Sequence, residues 1–241
     1  MTTPVQIIMV VGCGGGGSYL IPPLLKMLRG FSPQPRVVLC DGDTVEARNL
    51  DRQLFTVDDI GVNKATALTQ RLRREYWELA TDTQWFSEAT PLDVNPLLFA
   101  CVDNHPARRA VLARADALHG SAIIVANDYT DASAEYYDYG WRGTALDPRV
   151  RWPEILTDQS NDPTRPQSCT GPVADTTPQL AMANMQSAAL ALGLFWFHFV
   201  EKYQKNYVSM EFQPHWPVIH RSGSASMSTQ RVRDLAPTPS T

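Results

Sequence analysis

The stretch QIIMVVGCGGGGS, residues 6–18, decides the fold of this 241-residue chain. A short apolar run, residues 6–11, enters a glycine-rich loop, and a helical pattern follows over residues 18–29. A strand, a tight glycine turn and a helix in this order open a βαβ unit. The loop also has the spacing G-x-G-x-x-G, in which bare backbone and the N-H groups of a helix N-terminus can approach a phosphate closely.

Apolar runs alternate with helical patterns along the rest of the chain. The predicted elements are a strand at 37–40, a helix from Asn63 to about 77, a strand at 97–102, a helix at about 106–119, a strand at 121–127, a helix at about 178–203 and a weaker strand near 207–212. This alternation predicts an α/β, Rossmann-like, doubly wound fold with a mostly parallel sheet. Ligands of such folds bind beyond the carboxyl ends of the strands.

The length and a hydrophobic content of 44% predict one domain, residues 1–220. Within it, residues 144–175 are rich in Pro, Asp and Arg and predict a crossover loop on the surface, before the C-terminal helix. Residues 221–241 are dominated by Ser, Thr and Pro with few large apolar residues, so we expect a disordered tail.

The composition excludes several classes of function. A net charge of -4 without clustered Lys and Arg argues against nucleic acid as a partner. Asn184, Gln186 and His198 interrupt the apolar segment at 180–200, so we expect a buried or interface helix and no membrane span. The start of the sequence lacks the basic region of a signal peptide, which predicts a cytoplasmic protein. No zinc is expected, because no C-x-x-C pair occurs among the cysteines, Cys13, Cys40, Cys101 and Cys169.

Acidic and basic residues follow the second predicted strand. Asp41 ends that strand, where a carboxylate can accept hydrogen bonds from ribose hydroxyls, as in a dinucleotide-binding enzyme. The segments DGDTV (41–45) and NLDRQLF (49–55) come next, followed by Lys64. Arg52 and Lys64 provide positive charges that can neutralise a triphosphate. Hydride transfer by a dinucleotide-dependent enzyme does not need these charges.

This combination resembles the ThiF/MoeB/ubiquitin-activating family, whose hallmarks are G-x-G-G-x-G, D-x-D, N-x-x-R-Q and a downstream Lys. The resemblance covers roughly residues 5–127 and includes Asp103-Asn104 after the strand at 97–102. Within the family, the chain is most similar to the short ThiF-like proteins of bacterial PRTRC gene clusters. The resemblance implies an ATP-dependent, magnesium-dependent adenylyltransferase that activates the C-terminal glycine of a ubiquitin-like protein. It also implies a homodimer and a possible conjugating-enzyme-like partner.

The resemblance further implies a role for each motif residue. Asp41 would hold the ribose, Arg52 and Lys64 the phosphates, and Asp103 a magnesium ion. Asp103 and Asn104 can also cap the helix that follows them, which is a common use of both residues. The implied nucleotide-binding set is Gly12, Gly14, Gly15, Gly17, Ser18, Asp41, Asp43, Asn49, Arg52, Gln53, Lys64, Asp103 and Asn104.

Cys169 is the candidate nucleophile. It lies at the end of the predicted crossover loop, before the C-terminal helix, and resembles the thioester-forming cysteine of some ubiquitin-activating enzymes. A thiolate near a helix N-terminus has a depressed pKa and would attack an acyl adenylate. The alternative is an inert loop cysteine. The other three cysteines lie in strands or in the glycine loop, and we expect them to be buried packing residues.

The sequence leaves four functions open. The first is adenylation followed by thioester capture on Cys169, and the second is adenylation alone, for sulfur transfer as in ThiF and MoeB. The third is an NAD-dependent oxidoreductase, for which the glycine loop and Asp41 would also be suitable. The fourth is a non-catalytic scaffold that binds ATP.

Overall fold

The computed structural model describes residues 6–93, 95–127, 131–158, 181–202, 205–212 and 217–223. Its strands are β1 (Ile7–Val11), β2 (Arg36–Cys40), β3 (Leu79–Asp82), β4 (Leu97–Ala100), β5 (Ser121–Asn127), β6 (Asp131–Asp138), β7 (Lys205–Phe212) and β8 (Pro217–Gly223). Its α-helices are α1 (Gly15–Leu28), α2 (Lys64–Leu72), α3 (His105–Ala117), α4 (Pro148–Arg151), α5 (Glu154–Thr157) and α6 (Ala181–Phe199). Short 3-10 helices occur at Ala47–Asn49, Val57–Asp59 and Tyr139–Trp141.

The eight strands form one sheet in the order β3-β2-β1-β4-β5-β6-β7-β8. The pairs from β3 to β5 are parallel, and the pairs from β5 to β8 are antiparallel. The strand order reverses between β1 and β4, so the loops after these two strands diverge and leave a crevice at the carboxyl edge of the sheet. The α/β, Rossmann-like, mostly parallel fold expected from the sequence is confirmed.

Helices cover both faces of the sheet. Alternate residues of β1 point to opposite sides, with Ile8 and Val10 in one apolar cluster and Ile7, Met9 and Val11 in the other. The first cluster contains buried residues of α1, α2 and α6, and the second contains buried residues of α3 and α5. The central parallel strands are therefore buried on both faces, which explains why they are apolar throughout.

The C-terminal helix α6 packs against α1 and against β5, β6 and β7. Its buried residues include Asn184 and Ser187. None of the helices in the described ranges is both long enough and apolar enough to cross a membrane.

Several element boundaries differ from the sequence expectation. Helix α1 begins at Gly15 and not at Ser18, because close packing of the glycine loop overrides the low helix propensity of glycine. Helix α2 ends at Leu72, well before residue 77. Strand β3 was not expected, since its sequence LATD has no apolar run or clear alternation.

Two predicted unstructured segments contain regular structure. The expected crossover loop at 144–175 includes the short helices α4 and α5, while residues 159–175 lie outside the described residues. The expected tail was to begin at residue 221, but strand β8 runs to Gly223. Backbone pairing with β7 provides the hydrogen bonds that keep a polar sequence in a strand there.

Candidate functional site

The glycine loop between β1 and α1 is closely packed against its surroundings. Gly12 has a φ of +89°, and a Cβ atom there would lie 2.4 Å from the carbonyl oxygen of Cys101. A Cβ atom on Gly17 would lie 2.0 Å from the carbonyl oxygen of Gly12. Glycine at these two positions is therefore a packing requirement, and it lets the N-terminus of α1, with its unpaired N-H groups, come close to the end of β1.

Asp41, at the carboxyl end of β2, fixes the glycine loop. One carboxylate oxygen accepts a hydrogen bond from the Cys13 N-H (2.7 Å), and the other accepts one from the Asp43 N-H (2.9 Å). Burial raises the pKa of Asp41, whereas the Lys64 ammonium and the two backbone hydrogen bonds act in the opposite direction. Each carboxylate oxygen has a second lone pair, so Asp41 can still accept a hydrogen bond from a ligand hydroxyl.

Lys64 and Asp43 form an ion pair beside Asp41. The Lys64 Nζ lies 2.5 Å from an Asp43 carboxylate oxygen, and the lysine side chain is 9% exposed whereas that of Asp43 is 44% exposed. Asn63 holds the two segments together by donating to the carbonyl oxygens of both Asp41 and Asp43 (2.7 and 3.0 Å). The lysine charge is thus buried, positioned and balanced by a carboxylate that faces solvent.

Arg52 and Gln53 are neighbours in a segment that packs on the glycine loop through Gln53. The Gln53 amide is buried and faces Gly14, where a Cβ atom would lie 3.5 Å from its Nε2. Its Oε1 has no hydrogen-bond partner in the described part of the chain. Arg52 is half-buried, and its guanidinium takes part in none of the ion pairs found among the described residues.

Asn184 of α6 is a site residue that the sequence reasoning missed. Its Nδ2 donates to the carbonyl oxygen of Arg52 (3.0 Å), and its Oδ1 accepts from Asn127 (3.2 Å). The same oxygen lies 2.5 Å from the position of a Cβ atom on Gly15, so this glycine is needed for the close approach of α6. The sequence did offer a signal for it, because an amide side chain within an otherwise apolar helix needs a hydrogen-bond partner when it is buried. We interpreted this amide only as evidence against a membrane span.

Two residues of the predicted nucleotide-binding set have structural partners. Ser18 is fully buried, and its hydroxyl donates to the Gly15 carbonyl (3.1 Å) and accepts from the Leu54 N-H (3.1 Å). The Asn49 Oδ1 accepts from the Glu46 N-H (2.9 Å) within the capping box of a 3-10 helix. These bonds fix the shape of the loop that carries Arg52.

Asp103 and Asn104 follow β4, across the crevice from the glycine loop. The Asn104 side chain caps α3 by accepting from the Ala107 N-H (2.8 Å). It also donates to the Asp103 carboxylate (3.3 Å), and Asp103 is exposed. The capping interpretation therefore holds for Asn104, while the Asp103 carboxylate is exposed just after the end of β4.

The cysteines fall into two groups. Cys13 and Cys40 are buried and Cys101 is mostly buried, and burial raises the pKa of each thiol. The pKa of Cys40 rises to about 12, so this thiol stays protonated at neutral pH. Cys169, the candidate nucleophile, lies outside the described residues. Within the described ranges, no three His, Cys, Asp or Glu side chains cluster as a metal site would require.

Comparison with known proteins finds relatives of this chain among ubiquitin-like modifier-activating enzymes. Ubiquitin-like modifier-activating enzyme 5 of Arabidopsis thaliana is 30% identical over 125 residues, which are 43% of this chain and 28% of that protein. The Aedes aegypti enzyme of the same name is 30% identical over 124 residues, 43% of this chain and 29% of that protein. The chain thus matches less than a third of the length of these relatives.

Solved structures share the fold. A crystal structure of E. coli MccB with ATP has a TM-score of 0.62 at 20% identity, covering 93% of this chain and 66% of that chain. The crystal structure of PaaA has a TM-score of 0.62 at 17% identity, covering 90% of this chain and 72% of that chain. Residues 6–127, about half of the chain, match the ThiF family. This match includes every motif described above up to Asn104, and the chain belongs to the ThiF family.

Proposed function

We propose that this chain binds ATP and adenylates the C-terminal carboxylate of a small partner protein. The observation that carries the proposal is the position of Arg52. Its main chain is held by Asn184, its guanidinium takes part in none of the ion pairs found among the described residues, and it directly precedes Gln53, which packs on the glycine loop. A cation that pairs with no anion among the described residues, on a segment that packs against the start of a helix, is suited to bind an anionic ligand.

The chemistry requires two anions to meet. A carboxylate oxygen of the partner attacks the α-phosphorus of ATP, the bond to the bridging oxygen breaks, and pyrophosphate leaves with the electron pair. Arg52 and the N-H groups of α1 would bind the phosphates and so reduce the repulsion between the carboxylate and the triphosphate. Lys64 would add a second cation if its ammonium group left Asp43 and bound a phosphate oxygen. Positioning and electrostatics do most of this work, so the step needs no side-chain nucleophile.

Magnesium fits the residues at this edge. Mg²⁺ is usually held by one or two carboxylates together with substrate phosphates, and not by a cage of protein ligands. The exposed carboxylate of Asp103, after β4, would supply such a ligand. The ion would neutralise phosphate charge when bound.

The proposed partner is a ubiquitin-like protein that ends in glycine. The names of the two relatives, which are ubiquitin-like modifier-activating enzymes, support this class. A homodimer is part of the proposal. It is supported by the large apolar side chains that α6 leaves exposed, Met182, Met185, Trp196 and Phe197.

Nucleotide selectivity tests the proposal against the oxidoreductase alternative. Thermal unfolding is measured with Mg-ATP and with NAD, each in excess. The proposal expects Mg-ATP to raise the melting temperature and NAD to have little effect, because a ligand stabilises only the state that binds it. Stabilisation by NAD but not by Mg-ATP would overturn it.

Capture on Cys169 is a separate part of the proposal. The Cys169→Ala variant is expected to retain ATP-pyrophosphate exchange with the partner but to form no reducible covalent adduct with it. Cys101→Ala is the matched control, since burial raises the pKa of that thiol and keeps it inert. An adduct that persists in Cys169→Ala would remove the assignment, and the absence of any adduct in the wild type would favour adenylation for sulfur transfer.

A further inference from the structure

Trp85 lies over the backbone of Gly42, next to Asp41. A Cβ atom on Gly42 would lie 2.5 to 2.7 Å from the indole atoms Cδ2, Cε2 and Cγ, so the ring takes the space of the missing side chain. The φ angle of Gly42 is not positive, so the backbone conformation does not require glycine here. Glycine is required because a side chain would collide with the indole. Trp85 is nevertheless 57% exposed. One part of a large aromatic side chain is thus supported by the chain while much of the rest faces solvent.

The loop that carries Trp85 is tied to the carboxyl edge of the sheet. It follows β3, which pairs in parallel with β2 from Val37↔Leu79 to Cys40↔Asp82. The Cys40 thiol donates to the carbonyl oxygen of Gln84 (3.4 Å), and the Gln84 N-H donates to Asp82 (2.9 Å). The indole is therefore placed by the same strand end that places Asp41.

The order of the strands gives the direction in which a bound nucleotide would lie along the carboxyl edge of the sheet. The glycine loop, which suits the phosphates, follows β1, and Asp41, which suits the ribose, ends the neighbouring β2. The base lies on the far side of the ribose from the phosphates, and continuing in the same direction leads from β2 to β3. The loop after β3 is the one that carries Trp85.

We propose that the indole of Trp85, held on Gly42, is the platform on which the purine base of the nucleotide stacks. The inference rests on the proposed function and names the element that would bind the base. Stacking on an aromatic ring is available to every base, because every base has a π-face. Trp85 would then contribute affinity for the nucleoside end of the ligand, while Arg52 and the glycine loop would bind the phosphates.

The test compares Mg-ATP with Mg-tripolyphosphate, which carries the phosphates without a base. Binding is measured by calorimetry on the full chain for the wild type, Trp85→Ala, Trp85→Phe and Trp77→Ala. Trp77 is the matched control, a tryptophan that is 82% exposed. Trp85→Ala should weaken Mg-ATP binding between about 5-fold and about 150-fold, leave tripolyphosphate binding unchanged and be partly rescued by Phe. Trp77→Ala should change neither.

Gly42→Ala gives an independent readout. The new Cβ atom would displace the indole without changing Trp85 itself, so Mg-ATP binding should weaken while tripolyphosphate binding persists. If the wild type binds Mg-ATP and Trp85→Ala binds it equally well, this inference is wrong and the proposed function stands. Equal weakening of ATP and tripolyphosphate also overturns the inference. If the wild type binds no Mg-ATP, both this inference and the proposed function are wrong.

Discussion

Asn184 of α6 donates its side-chain amide to the main-chain carbonyl of Arg52, which lies 132 positions earlier in the sequence. The same amide accepts a hydrogen bond from Asn127 and abuts Gly15. One fully buried side chain therefore joins the C-terminal helix to the glycine loop and to the segment that carries Arg52. Buried amides of this kind are costly when unpaired, so we expect the loss of either hydrogen bond to destabilise the fold.

We predict that Asn184→Ala weakens both the fold and the site. Loss of the donor leaves the part-buried Arg52 carbonyl without this partner, which costs about 1–3 kcal/mol in the free energy of unfolding. Mg-ATP affinity should fall with it, because the main chain of Arg52 loses its anchor. Urea unfolding and calorimetry measure the two effects. Asn127→Ala removes only the other hydrogen bond and should have the smaller effect on affinity; the reverse order would contradict the role of Asn184.

We predict that Lys64→Met separates stability from activity. The Asp43 carboxylate that loses its partner is 44% exposed, and the buried Asp41 carboxylate, which loses a nearby positive charge, keeps its two backbone hydrogen bonds, so the free energy of unfolding should fall by only about 1 kcal/mol. ATP-pyrophosphate exchange should fall by about 100-fold or more, since a buried cation at the phosphates is lost. Lys26→Met, on the exposed side of α1, is the control and should retain exchange. Retained exchange in Lys64→Met would exclude Lys64 from the chemistry.

Two helical glycines should respond oppositely to alanine. Gly17→Ala places a Cβ atom 2.0 Å from the Gly12 carbonyl oxygen, which forces the backbone to move and should cost about 2 kcal/mol or more. Gly193→Ala, in α6, meets no atom of the described residues within 4 Å and should be neutral or stabilise by up to about 1 kcal/mol through helix propensity. Denaturant unfolding of both variants checks this, and an equal loss in each would refute the packing account.

Glu135 gives the fold a predicted pH dependence. Its carboxylate is buried on β6, receives a hydrogen bond from the Trp152 Nε1 (2.9 Å) and lies 3.0 Å from an Arg151 nitrogen. Burial raises the pKa of Glu135 from 4.5 to about 7, although Arg151 and Trp152 oppose the shift. Since the native carboxyl holds a proton that the unfolded chain releases, this group stabilises the fold below pH 4.5 and loses that contribution as pH rises to about 7.

The Glu135→Gln variant isolates this effect. From pH 4.5 to pH 7, the free energy of unfolding of the wild type should fall relative to that of the variant, by up to roughly 3 kcal/mol for a shift of this size. Urea unfolding at several pH values measures the difference. Parallel pH curves for the two proteins would show that Glu135 ionises normally in the fold.

The central part of the fold could be predicted because its strands and first turn are marked by short, local residue patterns. Continuous apolar runs mark β1, β2 and β4, and the glycine loop marks the first crossover. Strands β3, β6 and β8 were not among the predicted elements, since each is held by pairing with neighbouring strands and not by a continuous apolar run of its own.

The site was predictable to the extent that its residues follow strand ends. The carboxyl ends of parallel strands share one edge, which brings Gly12, Asp41 and Asp103 together. The role of Asn184 was not predictable, because only the folded chain shows which distant carbonyl a lone amide contacts. The ion pair of Lys64 with Asp43 was also missed, since both had been assigned directly to the nucleotide.

ATP-pyrophosphate exchange tests the central claim most directly. The purified chain is offered each small protein that ends in glycine and is encoded beside its gene, and Arg52→Ala is compared with Arg48→Ala, whose exposed side chain pairs with Glu46. The account predicts exchange that depends on one such partner, is lost in Arg52→Ala and persists in Arg48→Ala. Mg-ATP binding without exchange for any partner would contradict adenylation and leave a nucleotide-binding scaffold.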